Sequence, residues 1–168
     1  MNRAPLRTVL LLLATLAAST PAPVAAQELI LGAGHSDFNA VRAENGAVIS
    51  AEYRGRGFAR ILGAEAAFSA ALDLHETGDA YLGAGLALRW RETERWFIEA
   101  GVMPGLFARS SSRNDLGGAL HFRSFLGVGW RIDENSAISL AAIHKSNAHL
   151  ESYNPGLNTL LLRWHRRF

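Results

Sequence analysis

The sequence contains no cysteine, and this absence excludes several kinds of chemistry. Without thiols the chain cannot form disulfides, use a thiolate nucleophile, or build the sulfur-rich class of zinc site. Most of its histidines also lack the spacing to nearby carboxylates that metal ligands show: His35, His75, His121, His149 and His165. We therefore expect no metal site and no cofactor.

The chain also lacks an apolar run long enough to cross a bilayer as a helix. Its most apolar stretch, Val9 to Ala18, is too short, and two prolines interrupt the residues that follow. Two arginines precede this stretch and small residues end it at Ala26, which is the layout of an export signal. We expect residues 1–26 to be a cleaved signal peptide and residues 27–168 to form one mature domain.

A net charge is missing as well once that segment is removed. Arg3 and Arg7 account for two of the 17 basic residues, so the mature chain would carry as many basic as acidic residues. The alkaline isoelectric point of the whole chain therefore gives no support to nucleic-acid binding. We expect no nucleic acid among its partners.

What the mature chain does contain is eight segments with the composition of β-strands and no convincing helical period. Each has about ten residues or more, the length that a tilted strand needs to cross a bilayer. An even number of such segments is typical of bacterial outer-membrane barrels. The segments cover approximately residues 28–38, 46–54, 62–74, 80–90, 95–108, 118–131, 135–148 and 157–168.

Side chains alternate along these segments in a way that indicates lipid outside and a polar interior. In the sixth segment, one face mixes small residues with arginine and histidine, whereas the other is apolar apart from one serine. That second face comprises Leu120, Phe122, Ser124, Leu126, Val128 and Trp130. The mixed face suits the narrow interior of a closed barrel whose charges pair with one another. The sequence thus predicts an all-β fold, an eight-stranded antiparallel transmembrane β-barrel located in the bacterial outer membrane.

The connections and the tryptophans predict the orientation of this barrel. Residues 91–94 and 133–135 form short connections, whereas 109–117 and 149–156 are longer, and outer-membrane barrels keep their long loops outside. All four tryptophans then fall on the lipid-facing side at the periplasmic rim, where an aromatic girdle belongs. They are Trp90, Trp96, Trp130 and Trp164.

The seventh segment ends in a His-x-Ser pair, His144 and Ser146. Two residues apart in a strand, both side chains emerge on one face and can converge on one substrate atom, as a base and a nucleophile do. Both have the lipid-facing parity near the outer end of the barrel, and Asn158 has the same parity on the neighbouring strand. Polar groups on a lipid-facing wall are costly, so this cluster is a candidate functional site.

The stretch from His144 to Ala148, the sequence Asn154-Pro155-Gly156 and the last strand ending in Phe168 resemble the carboxy-terminal signature of the PagL family of lipid A 3-O-deacylases. The resemblance implies a barrel enzyme that hydrolyses the ester-linked 3-O acyl chain of lipid A without a metal. It also implies that Ser146 is the nucleophile and His144 the base.

The same resemblance implies further site residues and partners. We expect Asn154, Asn147 and Gly156 at the oxyanion or substrate position. The expected substrate is the lipid A part of lipopolysaccharide, and the other expected partners are outer-membrane lipid and the barrel assembly machinery. A homodimer is left open.

The resemblance breaks at the third catalytic position, where the family has an acid and this chain has Asn158. An amide can orient the imidazole of His144, but it brings no negative charge. We predict that Asn158 acts by orientation, with Glu151 of the preceding loop as the alternative acid, and a weak or inactive protein stays open. The alternative function is a non-catalytic barrel with a structural or adhesion role.

Overall fold

The computed structural model describes residues 27–39 and 43–168, which form a closed eight-stranded β-barrel. The strands are β1 (Glu28–Phe38), β2 (Gly46–Ile61), β3 (Ala64–His75), β4 (Ala80–Arg91), β5 (Trp96–Ala108), β6 (Leu120–Arg131), β7 (Ser136–Ser146) and β8 (Leu157–Arg167). Each strand is antiparallel to the next in chain order, and β1 pairs with β8 to close the sheet. The predicted fold class is therefore confirmed.

Two further observations bear on the sequence predictions. The predicted signal peptide, residues 1–26, lies outside the described residues, so its cleavage stays a prediction. Within the described part of the chain, a 3₁₀ turn at Ser112–Asn114 interrupts the β5–β6 connection. No helix in this part of the chain is long and apolar enough to cross a membrane.

β2 is the strand that departs most from its predicted bounds. It continues well past position 54, and its pairing with β3 shifts register twice between Arg54 and Ala59. Such bulges add unpaired residues and break the strict alternation from which a strand is predicted. Leu62 and Gly63, both with positive φ, form the turn, so β3 begins at Ala64 rather than at residue 62.

The outer wall of the barrel is a band of exposed apolar side chains. It includes Ile49, Phe68, Leu82, Leu106, Leu126, Leu140 and Leu162. Trp96 packs edge-on against Trp130, with ring centroids 4.6 Å apart, and Trp90 and Trp164 lie at the same end of the barrel. The two longest connections, residues 109–119 and 147–156, lie at the opposite end. The tryptophans therefore form the predicted girdle at the rim away from the long loops.

The interior of the barrel is occupied by paired charges. Glu99 accepts hydrogen bonds from Arg54 at 2.8 Å and from Arg89 at 3.3 Å, and it forms an ion pair with Arg163. Three further buried carboxylates are paired in a similar way: Glu28, Glu52 and Asp73. The interior charges therefore neutralise one another, which allows them to be buried in a narrow lumen.

Asp79 ties the β3–β4 turn to the β5–β6 connection at the outer end. Its carboxylate accepts hydrogen bonds from Thr77 Oγ1 at 2.6 Å, the Ser110 backbone N–H at 2.6 Å and Asn114 Nδ2 at 2.5 Å. Burial raises the pKa of Asp79, but the hydrogen bonds outweigh burial and hold that pKa below its ordinary value. One ionised carboxylate thus fastens two outer connections.

Candidate active site

His144 lies on the outer face of β7, directly across from Asn158 on β8. Its Nδ1 lies 2.8 Å from Asn158 Oδ1, and Asn158 Nδ2 faces Asn39 Oδ1 at 3.4 Å. An amide oxygen only accepts, so this arrangement places the proton of the neutral ring on Nδ1 and the lone pair on Nε2. The structure thus brings two predicted site residues together and leaves Nε2 to accept a proton.

Ser146 is the last residue of β7 and shares the outer face with His144, one step nearer the outer connections. Their Cα atoms are roughly 6.5 Å apart at strand spacing. Within the described residues, the hydrogen-bond partner of the His144 ring is Asn158, and no bond joins the ring to the Ser146 hydroxyl. Catalytic hydrogen bonds often tighten only with substrate, so the pairing of these two residues stays an expectation.

Gly156 shapes the space beside the His144 ring. Its φ of 76° lies in the left-handed region, which favours glycine. A Cβ at this position would lie 2.9 Å from His144 Cε1 and 3.5 Å from Nε2. Both the backbone conformation and the position of the imidazole ring therefore favour glycine at position 156. Gly156 lies beside Nε2, the nitrogen that would act as the base.

Asn147 and Asn154 hold the β7–β8 connection together. Asn147 is fully buried, and its Nδ2 lies 3.2, 2.8 and 2.8 Å from the carbonyl oxygens of Leu116, Gly117 and Tyr153. Asn154 Oδ1 accepts the Asn147 backbone N–H at 3.0 Å. The side-chain amide of Asn147 thus donates to protein carbonyls, and a place for Asn147 at the oxyanion position stays a prediction. The Nδ2 of Asn154 is left as a side-chain donor in this connection.

Glu151, the alternative acid, is exposed in the same connection and packs against Gly118 of the β5–β6 connection. A Cβ at Gly118 would lie 3.0 Å from Glu151 Cγ. The partner of His144 Nδ1 is the amide of Asn158. The arrangement favours Asn158 over Glu151 as the group that orients the ring.

The register of four strands places four exposed polar side chains side by side on the outer wall. Ser124 of β6 is directly across from His144, and Ser124 Oγ donates to the His144 carbonyl oxygen at 3.3 Å. Asn158, the partner of His144 on β8, is in turn directly across from Asp37 of β1. We call these four residues the polar row. The sequence prediction missed Asp37 and did not connect Ser124 with the site.

The polar row lines a groove on the outer wall of about 740 Å³, together with His35 and several apolar side chains. This groove adjoins a second depression of about 420 Å³, with which it shares Leu126, Ala142 and Leu160. The second depression is apolar and also includes Ile98, Val128 and Leu140. A polar part that continues into an apolar one fits a ligand with a polar head and an apolar chain. In the described part of the chain, no group of three or more acidic or histidine side chains is arranged to hold a metal ion.

The fold and the groove together define a class of protein. A closed barrel satisfies the backbone hydrogen bonds of every strand that crosses a bilayer, and here its outer wall is apolar and bordered by an aromatic girdle. The chain is therefore an outer-membrane β-barrel, with a polar site on its lipid-facing wall near the outer rim.

The chain belongs to the PagL family, described as lipid A 3-O-deacylase, whose pattern matches residues 46–167. The lipid A deacylase PagL of Bordetella bronchiseptica is 33% identical over 81 residues, which cover 48% of this chain and 46% of the relative. The lipid A deacylase PagL of Pseudomonas aeruginosa is 36% identical over 69 residues, 39% of each chain. The matched segments span less than half of either relative.

A solved structure shares the architecture over a longer range. The crystal structure of the outer membrane enzyme PagL superposes with a TM-score of 0.64, covering 83% of this chain and 98% of that chain. The sequence identity is 20%, so this likeness concerns the fold.

Proposed function

We propose that this protein is a lipid A 3-O-deacylase that uses Ser146 as the nucleophile and His144 as the general base. The observation that carries the proposal is the His144–Asn158 hydrogen bond of 2.8 Å on the lipid-facing wall, within a groove that turns apolar. Family membership supports the reaction class, because the family is named for this activity.

Stability gives no reason for these polar side chains. On the same face of β7, the residues below His144 are Ile138, Leu140 and Ala142, as expected for a wall that meets hydrocarbon. A histidine and an asparagine on that wall cost free energy relative to apolar residues, even when they bond to each other. Their presence is explained if the site acts on a lipid.

The proposed reaction is nucleophilic acyl transfer. With the acyl chain in the apolar part of the groove, the ester carbonyl lies at the polar row. His144 Nε2 takes the hydroxyl proton as Ser146 Oγ attacks the carbonyl carbon, and Asn158 Oδ1 holds the opposite ring N–H. The tetrahedral intermediate collapses, and the departing sugar oxygen takes the proton from His144. Water then hydrolyses the acyl-serine ester by the same proton route.

The developing oxyanion needs hydrogen-bond donors at the outer end of β7. The β7–β8 connection offers Asn154 Nδ2 and its backbone N–H groups, held in place by the buried amide of Asn147. Fixed donors of this kind stabilise the charge without reorganising during the reaction. Asn147 therefore contributes by supporting the connection, and Gly156 by leaving room for the imidazole.

The proposal extends to the surroundings of the enzyme. The substrate would be lipopolysaccharide in the outer leaflet, and insertion would rely on the barrel assembly machinery. A homodimer stays a prediction.

Mass spectrometry of lipid A tests the proposal. Lipid A from cells that express the protein should lose the mass of one ester-linked acyl chain, and fragmentation should assign the loss to the 3 position. Cells that express Ser146→Ala to the same level in the outer membrane should give the lipid A of cells without the protein. An unchanged spectrum with the wild-type protein would favour the non-catalytic barrel instead.

A further inference from the structure

The site contains a base, His144, and an amide that bonds to its ring, that of Asn158. This amide carries no charge. When His144 takes a proton, the resulting imidazolium lies beside hydrocarbon, where a positive charge without a counter-charge is costly. Resting on the proposed function, we infer that Asp37 is the carboxylate of this site and that it acts on His144 through the amide of Asn158.

The strand register places Asp37 within reach of that amide. Asp37 on β1 and Asn158 on β8 are direct cross-strand partners, as are Asn158 and His144 on β7. Direct partners in an antiparallel pair have Cβ atoms about 4.5–5.5 Å apart. All three side chains face outwards and line the same groove. Glu151, in contrast, lies in a connection and packs against Gly118.

The orientation of the Asn158 amide suits a carboxylate on β1. Its Oδ1 faces His144 at 2.8 Å, whereas its Nδ2 points the other way and meets Asn39 Oδ1 at 3.4 Å, a long contact. An amide nitrogen carries two hydrogens, so it can donate to Asn39 and to a second acceptor. The carboxylate of Asp37 is the acceptor directly across from this amide.

Asp37 is itself held in position. Asn45 Nδ2 donates to Asp37 Oδ1 at 2.8 Å, and Asn45 Oδ1 accepts the Phe38 backbone N–H at 2.9 Å. A carboxylate on a lipid-facing wall costs free energy, and one hydrogen bond from an exposed loop amide offsets only part of that cost. A use in the reaction accounts for its position better than loop architecture does.

The proposed action is electrostatic, and no proton leaves the amide. A hydrogen bond from Asn158 Nδ2 to Asp37 would draw electron density towards Oδ1, which would then accept more strongly from His144 Nδ1–H. Asp37 also carries a full negative charge, and the side chain of Asn158 separates it from the imidazolium, in surroundings of low dielectric. Asp37 is thus a positioning residue, and Asn158 connects it to the base.

The test combines Asp37→Asn with Asn158→Glu. In the wild-type background, Asp37→Asn should lower kcat about tenfold to a hundredfold with little change in KM, because it removes charge stabilisation of the transition state. Asn158→Glu supplies the carboxylate directly to His144, so in that background Asp37→Asn should cause no loss. Rates are measured on purified lipid A in detergent, with heat-modifiable gel mobility as the check on folding.

Two outcomes would overturn the inference. A wild-type rate for Asp37→Asn would show that the carboxylate is not used. An equal loss in both backgrounds would show that Asp37 only supports the β1–β2 connection. Glu44→Gln is the matched control, because Glu44 is an exposed carboxylate of that connection whose partner is Arg113, outside the groove, and it should keep the wild-type rate.

A second measurement does not depend on turnover. The Nδ1 proton of His144 should give a downfield resonance in the NMR spectrum, and Asp37→Asn should move it upfield as its hydrogen bond to Asn158 weakens. Glu44→Gln should leave it in place. A protein without deacylase activity would refute the proposed function, whereas an unmoved resonance in Asp37→Asn would refute the role of Asp37.

Discussion

The interior and the outer wall of this barrel use polar side chains in opposite ways. Inside, Glu99 is fully buried and is held by three arginines, so both charge and hydrogen-bonding capacity are satisfied. Outside, His144 and Asn158 are exposed and share a single hydrogen bond, next to Asp37 as the carboxylate of the polar row.

This contrast separates the polar residues that packing explains from those that need a functional explanation. A narrow lumen must be filled, and charges that fill it must neutralise one another, so packing accounts for the interior. The outer wall meets lipid, where apolar residues would be more stable, so packing does not account for the polar row. Substitutions should therefore affect mainly stability inside and mainly activity outside.

The largest effect should come from removing the nucleophile or the base on the outer wall. We expect Ser146→Ala and His144→Ala each to lower deacylation at least about 10³-fold, and the double variant to be no worse, because the two side chains act as a unit. Neither packs in the interior, so heat-modifiable gel mobility should stay unchanged. The rates are measured on purified lipid A in detergent.

Nearby residues of the same type supply the controls for that experiment. Ser152→Ala and His149→Ala change exposed side chains of the β7–β8 connection and should keep the wild-type rate. Ser124→Ala tests which of the two serines nearest His144 is the nucleophile. Loss of activity in Ser124→Ala, with a wild-type rate in Ser146→Ala, would transfer the nucleophile to β6.

The second effect lies inside the barrel and concerns stability. Glu99→Gln removes a charge that faces three arginines, and we expect it to lower the free energy of unfolding by about 3–5 kcal/mol. Urea titration in lipid vesicles measures this loss, while the fraction that folds should still deacylate. Glu65→Gln is the control, because Glu65 is half exposed and 3.9 Å from Arg91, and it should cost less than about 1 kcal/mol. A Glu99→Gln barrel with the wild-type unfolding midpoint would contradict a stabilising role for the interior charges.

The third effect returns to the outer wall. Asn158→Ala should lower activity about tenfold to a hundredfold, because the imidazole of His144 loses the group that fixes its tautomer. Glu151→Ala should change activity by less than about twofold, since its side chain packs elsewhere. Kinetics of both variants on the same lipid A preparation decide between them. An inert Asn158→Ala combined with an inactive Glu151→Ala would give the third role to the loop carboxylate.

A fourth, smaller effect should follow from filling the space beside the ring. Gly156→Ala puts a Cβ 2.9 Å from His144 Cε1 and should lower activity roughly tenfold by turning the imidazole. Gly63→Ala is matched in backbone strain, because Gly63 also has positive φ, but nothing lies within 4 Å of its Cβ position. An equal loss of activity in the two variants would show that backbone strain, and not the contact with the ring, causes the loss.

The smallest effect concerns pH and the outer connections. Because the pKa of Asp79 is lowered in the folded protein, its stabilising contribution is present above the ordinary value of 3.8 and is lost as the pH falls through the folded value. Hydrogen-exchange protection of residues 109–119 should therefore fall in acid. Asp79→Asn should already lack this protection at neutral pH and show no such step. Asp133→Asn, at the opposite rim, should leave it unchanged.

The periodicity of the strands explains why so much of the architecture could be predicted from the sequence. Side chains alternate with period two, so the parity of Leu140 and Leu162 fixed the outward faces of His144 and Asn158 on adjacent strands. Strand order followed from chain order, and hence the His144–Asn158 contact was within reach of the same reasoning.

What could not be predicted depends on register and on bulges. Asp37 meets Asn158 across the β1–β8 pairing, between two residues 121 positions apart (158 − 37), and no local pattern gives the register of that closure. The outward-facing parity of Asp37 in the first predicted strand was the signal in the sequence that could have pointed to it. The continuation of β2 was missed because the register shifts between Arg54 and Ala59 disrupt the alternation. The burial of Asn147 depends on carbonyls of another connection.

The pairing of β1 with β8 also determines when the site becomes complete during assembly of the barrel. Ser146, His144 and Asn158 belong to one hairpin at the end of the chain, whereas Asp37 belongs to the first strand. One edge of the groove, formed by His35 and Asp37, is thus contributed by the first strand, and the rest of its wall by the last three strands. An unclosed barrel holds the nucleophile and the base but neither the complete groove nor the carboxylate. We expect the full rate of hydrolysis only when β1 and β8 have paired, so that an unfinished barrel attacks esters more slowly than the closed one.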